Sequence, residues 1–174
     1  CADFTNRALF SLIYQSLFTV DREYNIEPQL CKSFWRSEDM KTYGFRLENA
    51  TFGDGTPLTV DDVVATLEAA EDSDVYSGRF DHISDIEADG DTVVISLSTP
   101  FENLPMLLDI PISKYGTETE EFPLGTGAYV VEETVSGLRL RRRTFWWCKP
   151  DNWPVTAEYI PLVPVDSVSE LRNQ

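Results

Sequence analysis

The sequence predicts an α/β protein in which amphipathic helices alternate with short, half-buried strands. Apolar side chains recur at helical spacing over residues 7–17 and again over 60–71. Apolar and polar side chains alternate over 42–47, which is the period of a strand with one buried face. The 174 residues, 42% of them apolar, supply enough core material for a folded domain.

The first third of the chain opens with a predicted helix. Asn6 can cap it, and Leu9, Leu12 and Ile13 form its apolar stripe, which we expect to be buried. An extended segment should follow, with a turn at 21–25 and a further extended run through Pro28 to Trp35.

The middle of the chain carries a strand, a capped helix and a hairpin. Thr59 should cap the helix over 60–71, after a turn at Asp54-Gly55. Strands at 83–87 and 92–97 are joined through Asp89-Gly90-Asp91, a sequence typical of a tight hairpin turn.

The sequence of the last third of the chain predicts mostly strands. Ser136-Gly137 provides the turn of one hairpin in it. The predicted elements are a short helix at 101–108, strands at 128–133, 138–144 and 158–165, and a helix at 166–172.

The charge of the chain excludes some classes of partner. A net charge of −16 and a pI near 4.3 disfavour nucleic acid and anionic membrane surfaces, since phosphate binding needs a concentrated basic surface. No apolar run is long enough to span a membrane as a helix. The three cysteines lack C-x-x-C spacing, and His82 is the only histidine that could join them as a metal ligand, so we expect no metal or cofactor. A disulfide between Cys31 and Cys148 stays possible.

The stretch FGDGTPLTVDDVVATLEAA resembles a carboxylate site at first sight. As a calcium loop starting at Asp54 it fails, because Thr56 and Leu58 stand where oxygen ligands are needed. Asp61 and Asp62 instead fall in the first turn of the predicted helix, where negative charge is favourable without any ligand. A turn followed by a capped helix is therefore the favoured interpretation.

Three runs together carry a family resemblance. They are LIYQSLFTVDREYNIEPQLCKSFW, TYGFRLENATFGDGTPLTVDDVVATLEAA and PLGTGAYVVEETVSGLRLRRRTFWW. In this order they resemble the extracellular solute-binding proteins of peptide ABC importers, the oligopeptide- and dipeptide-binding family 5. The DGTPLT turn before DVV and the GTGAY element before the arginine-rich strand are the most specific parts.

The resemblance implies a type II periplasmic-binding-protein-like fold. We expect a mixed-sheet lobe with an α+β subdomain and without the second lobe. Residues 1–33 would begin the ligand-binding lobe, 34–103 would form the inserted subdomain, and 104–174 would return to the lobe. Strands from both ends of the chain would then share one sheet.

The resemblance also implies a function in binding and not in catalysis. A small peptide would be captured by lobe closure and delivered to an ABC permease in the membrane, outside the cytoplasm. Cys1 could mark a lipid attachment site, but a helix starting within about five residues leaves little tether, so we interpret it as a chain boundary. Anchoring of a full-length protein stays open.

Six residues are predicted to bind the ligand. Tyr14, Gln15 and Leu17 match the position where the family's chain lines the cleft after its first helix, although an acidic residue is common where Gln15 stands. Tyr76 resembles a subdomain tyrosine that reaches the ligand in some members. The remaining two candidates are Gly127 and Trp146.

Several of these residues have a structural alternative. Tyr14, Leu17 and Tyr76 could be core side chains, since apolar and aromatic residues at helical spacing usually are. Gly127 could serve a backbone turn near the hinge, and Trp146 could pack on the sheet.

Other functions remain as alternatives. The same family fold could bind a nickel chelate, haem or an oligosaccharide. An acidic hydrolase would use Asp61, Asp62 or Glu68, and an interaction module would use a strand face with Arg139, Arg141 and Arg143, unless these pair with Glu132 or Glu133.

Overall fold

Three antiparallel sheets and three α-helices build the part of the chain that the structure describes. The structure is a computed structural model and describes residues 2–21, 23–117, 120–148 and 157–162. The helices are α1 (Ala2–Ile13), α2 (Val60–Glu71) and α3 (Leu104–Leu107), with a 3-10 turn at Ser77–Arg79. The strands are β1 (Phe18–Val20), β2 (Ile26–Pro28), β3 (Cys31–Arg36), β4 (Thr42–Leu47), β5 (Ile83–Asp89), β6 (Thr92–Leu97), β7 (Tyr129–Thr134), β8 (Gly137–Arg142) and β9 (Tyr159–Pro161).

The largest sheet has the strand order β3-β4-β6-β5. Tyr43 and Phe45 of β4 are buried beside Ile95 of β6, and Val63 and Leu67 of α2 belong to the same core. The predicted strand at 42–47 and the hairpin through Asp89-Gly90-Asp91 are confirmed. Alternating side chains, with one face buried under a helix, therefore account for this half of the fold.

A capping box fixes the start of α2 as predicted. The Thr59 hydroxyl accepts from the Asp62 amide, and the Asp62 carboxylate accepts from the Thr59 amide at 2.8 Å. The buried Asp62 also accepts from the amide of Tyr115 at 2.9 Å, and Thr66 donates to the carbonyl of Ser113. The cap therefore ties α2 to the segment after α3 as well.

The second half of the fold packs α1 against the sheet β7-β8-β9. Leu12 lies in a core with Ala128, Tyr129 and Leu140. The predicted strands at 128–133, 138–144 and 158–165 are present as β7, which is shifted by one residue, β8, which ends two residues earlier, and β9, within the described part of the last range. The predicted helix at 166–172 lies outside the described residues, and none of the described helices is long and apolar enough to cross a membrane.

The predicted bounds of the first helix were wrong. Helix α1 begins at Ala2 and ends at Ile13, not over 7–17. The carbonyls of Ser16 and Leu17 accept from the amides of Leu30 and Gln29, so this segment is already extended. Leu17 kept the apolar spacing because it is buried in the core, not because the helix continues. Helix α3 is likewise shorter than 101–108.

An isolated bridge joins the segment after α1 to the segment after α3. Gln15 pairs antiparallel with Ile112, and the Ile112 amide donates to the Gln15 carbonyl at 2.9 Å. All strand pairs described are antiparallel. The division at residues 33 and 103 stays a prediction.

The two described thiols do not form a disulfide with each other. Cys31 is buried, which raises the pKa of its thiol to about 11, and its Sγ donates to the carbonyl of Ser33. Cys148 is half-buried and its pKa is also raised by burial. Neither thiol is therefore readily ionised at neutral pH.

A buried arginine joins the two halves of the fold. Arg143 follows β8 and is only 6% exposed. Its guanidinium donates to the carbonyls of Thr51, Phe52, Thr126 and Gly127. Burial lowers the pKa of Arg143 from its usual range, but five hydrogen bonds hold the charged form. The turn before α2 and the turn before β7 are thereby fixed together.

Replacement of Arg143 by methionine should destabilise the fold strongly. The change leaves the four carbonyls without their donor, and we expect a loss of about 3 kcal/mol or more in the free energy of unfolding. Urea denaturation followed by tryptophan fluorescence measures it. Arg142→Met, at the neighbouring position, is the control, and an equal loss in both variants would contradict this role for Arg143.

A pH-dependent contribution comes from the ion pair between Asp54 and Lys114, 2.6 Å apart. Partial burial of Asp54 acts to raise its pKa, but hydrogen bonds from Lys114 and Thr56 outweigh it and lower the pKa to about 2. Because the folded-state pKa lies below the unfolded value, the stabilisation is present above about pH 4 and is lost as pH falls towards 2.

Asp54→Asn should therefore lower the free energy of unfolding at pH 7 by no more than about 1 kcal/mol, since the pair is partly exposed. The difference from the wild type should shrink between pH 4 and pH 2. Denaturation midpoints across this range measure it, and a difference that grows on acidification would contradict the assignment.

Candidate functional site

A cavity of about 300 Å³ opens beside the C-terminal end of α1. Four separate segments form its wall: the residues after α1, the β2 end of the first hairpin, the 3-10 turn, and the stretch after α3. Its lining includes Tyr14, Gln15, Ser16, Gln29, Tyr76, Arg79 and Asp109. The wall thus contains aromatic rings, amides, a hydroxyl and one charge of each sign.

Tyr14 and Gln15 are placed by the end of α1. The Tyr14 hydroxyl donates to the carbonyl of Pro123 at 2.8 Å, and burial raises its pKa, so the phenol stays neutral. The Gln15 amide oxygen accepts from Nε1 of Trp147 at 2.8 Å, and its nitrogen lies 4.0 Å from Sγ of Cys148. Gln15 is 5% exposed and so offers little surface to the cavity. Its contacts with Trp147 and Cys148 orient its side-chain amide.

Ser16, Gln29 and Asp109 form a polar group on the adjoining wall. The Ser16 amide donates to Oε1 of Gln29 at 3.0 Å. The Ser16 hydroxyl donates to the carbonyl of Phe18 at 2.7 Å and lies 3.3 Å from Oδ1 of Asp109. This group connects the first hairpin to the stretch after α3.

Tyr76 and Arg79 face the cavity from the 3-10 turn. The Arg79 guanidinium carbon lies 5.1 Å from the centre of the Tyr76 ring, within the range of a cation–π contact. Nη1 of Arg79 donates to the carbonyls of Leu107 and Asp109 at 3.2 and 3.0 Å. The arginine is therefore held on two sides before any ligand binds.

The structure brings together three of the six predicted site residues. Tyr14, Gln15 and Tyr76 all line the cavity. Leu17 does not: its side chain is 0% exposed in the main core and has no surface to offer a ligand, so its predicted contact is corrected to a packing role.

Gly127 and Trp146 lie outside the cavity wall. The Gly127 amide donates to the carbonyl of Ile13 at 2.8 Å, and a Cβ at this position would lie against the carbonyl oxygens of Leu12 and Ile13. Trp146 packs on the second core and donates to the carbonyl of Thr126 at 2.9 Å. Both residues support the end of α1, and hence the wall, from outside.

Sequence reasoning missed Arg79, Asp109, Ser16 and Gln29. Their separation along the chain hides the grouping, because no local pattern connects residue 16 with residue 109. The one available signal was Arg79, a lone basic residue within a long acidic stretch after the capped helix.

The residues of the alternative functions do not form a common site. The Asp62 carboxylate is fully engaged by the helix cap, and Asp61 and Glu68 are exposed on α2. Arg139 and Arg141 pair with Glu132 across the hairpin, as expected for neighbouring strands. Within the described residues, no group of histidine, cysteine and carboxylate side chains could hold a metal ion.

Comparison with known proteins agrees with this architecture. The model of the bacterial extracellular solute-binding proteins, family 5 (middle part), matches residues 25–172. The chain belongs to this family. The family resemblance predicted from the sequence is thereby confirmed, and with it the type II fold and a family of binding proteins instead of enzymes.

Relatives of this solute-binding chain differ in their ligands. It is 33% identical over 144 residues to the glutathione-binding protein GsiB of Escherichia coli K12, covering 75% of this chain and 28% of the relative. It is 30% identical to a nickel ABC transporter protein of Bacillus halodurans, with a TM-score of 0.66 and coverage of 82% and 32%. The AgaA protein of A. tumefaciens R10, in complex with agropinic acid, shows 25% identity, a TM-score of 0.66 and coverage of 87% and 33%. The chain thus spans about a third or less of these relatives.

The packing role of Gly127 can be tested directly. Gly127→Ala should lower the free energy of unfolding by about 1 to 3 kcal/mol, since the added methyl group collides with backbone of α1. Differential scanning calorimetry measures the loss. Gly78→Ala, where a Cβ would meet nothing within 4 Å, is the matched control. A Gly127→Ala variant as stable as the wild type would contradict the close approach.

Proposed function

We propose that this chain forms part of the substrate-binding component of an ABC importer that captures small peptides outside the cytoplasm. The cavity beside α1 is one wall of the binding site, and closure of a second lobe would cover its open side. The loaded protein would then deliver the peptide to a membrane permease. The observation that carries the proposal is the grouping of Tyr14, Gln15 and Tyr76 around one cavity.

The chemistry of the wall suits a peptide. Its amides and hydroxyls can bond main-chain groups, which every peptide presents irrespective of sequence. The aromatic rings of Tyr14 and Tyr76 offer apolar contact to varied side chains. The cavity of about 300 Å³, as one wall of the site, by itself reaches the lower end of the range for ligand pockets.

Among the relatives, the glutathione-binding protein supports a peptide cargo, since glutathione is a tripeptide. The nickel and agropinic acid proteins are the competing precedents. The described wall contains no group of metal-ligating side chains, so a nickel ion would have to arrive already chelated. Peptide capture is the function that uses most of the groups present.

A ligand panel tests the proposal. The chain is titrated with trialanine, glutathione, nickel(II)–histidine and agropinic acid, and binding is measured by saturation-transfer NMR, which detects millimolar affinities. We expect both peptides to bind more tightly than the other two. Binding of nickel–histidine or agropinic acid without either peptide would overturn the peptide cargo.

Tyr76→Ala should weaken peptide binding about fivefold, because it removes the aromatic wall and the partner of Arg79. Tyr115→Ala is the matched control, since Tyr115 is exposed and lies outside the cavity. Equal affinities in the two variants would show that the peptide binds elsewhere.

A further inference from the structure

Arg79 is the basic side chain in the described cavity wall of this acidic protein. The chain carries 30 acidic and 14 basic residues. Arg36, Arg46, Lys114, Arg139 and Arg141 each form an ion pair with a carboxylate. Arg79 forms none with any residue in the described ranges, although it lines the cavity. Its charge is therefore not neutralised by a contacting acidic group there.

The contacts of Arg79 fix its orientation without cancelling its charge. Both carbonyls that it binds, Leu107 and Asp109, are reached by Nη1. The Tyr76 ring contacts the guanidinium plane. A guanidinium has five N–H donors, so the Nε and Nη2 edge keeps three of them. That edge is the fork that binds a carboxylate through two parallel hydrogen bonds.

One neighbouring polar group in the wall, Gln29, is also oriented as a donor. Oε1 of Gln29 accepts from the Ser16 amide, which leaves the amide nitrogen of Gln29 as the group able to reach a ligand. The Ser16 hydroxyl already donates to Phe18. The acidic member of the wall, Asp109, lies 3.3 Å from the Ser16 hydroxyl and has a further contact. The wall therefore offers hydrogen-bond donors and a positive charge to a ligand acceptor.

We propose that Arg79 binds a carboxylate of the ligand and that the cavity selects ligands that carry one. This rests on the proposed function only in placing the ligand in this cavity. A carboxylate is favoured over a phosphate dianion because Arg79 supplies a single positive charge, and Asp109 in the same wall would repel a second negative charge. In a peptide, this group is the C-terminal carboxylate or an acidic side chain.

The experiment compares ligands that differ only in that group. Trialanine and trialanine amide have the same side chains, but the amide has no carboxylate. The chain is titrated with each by saturation-transfer NMR, together with the carboxylates glutathione and agropinic acid. We expect trialanine to bind about tenfold more tightly than its amide, as a charged hydrogen-bonded pair at a half-buried site predicts.

Variants then assign the preference to Arg79. In Arg79→Gln the ratio between trialanine and its amide should fall to about one, and Arg79→Lys, which keeps the charge but not the fork, should give an intermediate ratio. Arg46→Gln removes the same charge from the surface and should leave the ratio unchanged. Thermal unfolding of each variant shows whether the loss of the two carbonyl contacts has disturbed the fold.

Each outcome separates this inference from the peptide proposal. If trialanine and its amide bind equally, or if Arg79→Lys and the other folded variants keep the full ratio, the carboxylate inference is wrong while peptide binding stands. If neither tripeptide binds but agropinic acid does, and loses affinity in Arg79→Gln, the inference holds and the peptide cargo is wrong. Binding of none of the carboxylates overturns both.

Discussion

The buried guanidinium of Arg143 is the interaction on which the arrangement of the two halves depends. A charge at 6% exposure is tolerated only because carbonyls from two distant turns converge on it. One turn precedes α2 and the other precedes β7. Arg143 binds two carbonyls of each turn, more than any other described side chain does. Its position therefore sets how the four-stranded sheet meets the sheet packed on α1.

Backbone contacts connect the site of Arg143 to the cavity wall and fix the wall's position. Gly127, held by Arg143, binds the carbonyl of Ile13 and fixes the end of α1, from which Tyr14 and Gln15 follow. On the other side, Asp62 binds the amide of Tyr115 and anchors the stretch after α3. The carbonyls of that stretch hold Arg79 in turn. The cavity wall is therefore supported by structural residues that do not themselves line it.

The capped helix, the two hairpins and the family could be predicted from the sequence because their signals are local. Thr59 and Asp62 stand three residues apart, and Gly90 and Gly137 adopt positive φ within single turns. The end of α1 could not be predicted, since its apolar spacing continues into a core residue, Leu17. Leu17 was assigned to the ligand by the family resemblance, which could not show that its side chain turns into the core. The resemblance placed Tyr14, Gln15 and Tyr76 near a site but gave no partners for them.

The sequence by itself determined the elements, the acidic surface and the family, because propensity, capping and periodicity act over a few residues. Only the tertiary structure decided that Arg143 joins the two diagnostic motifs and that Arg79 reaches the cavity without an acidic partner in the described residues. Both facts depend on long-range contacts, such as those of Arg143 with Thr51, 92 positions apart, and of Arg79 with Leu107, 28 positions apart. Such contacts leave no periodic trace along the chain, since they form only when separate segments pack together.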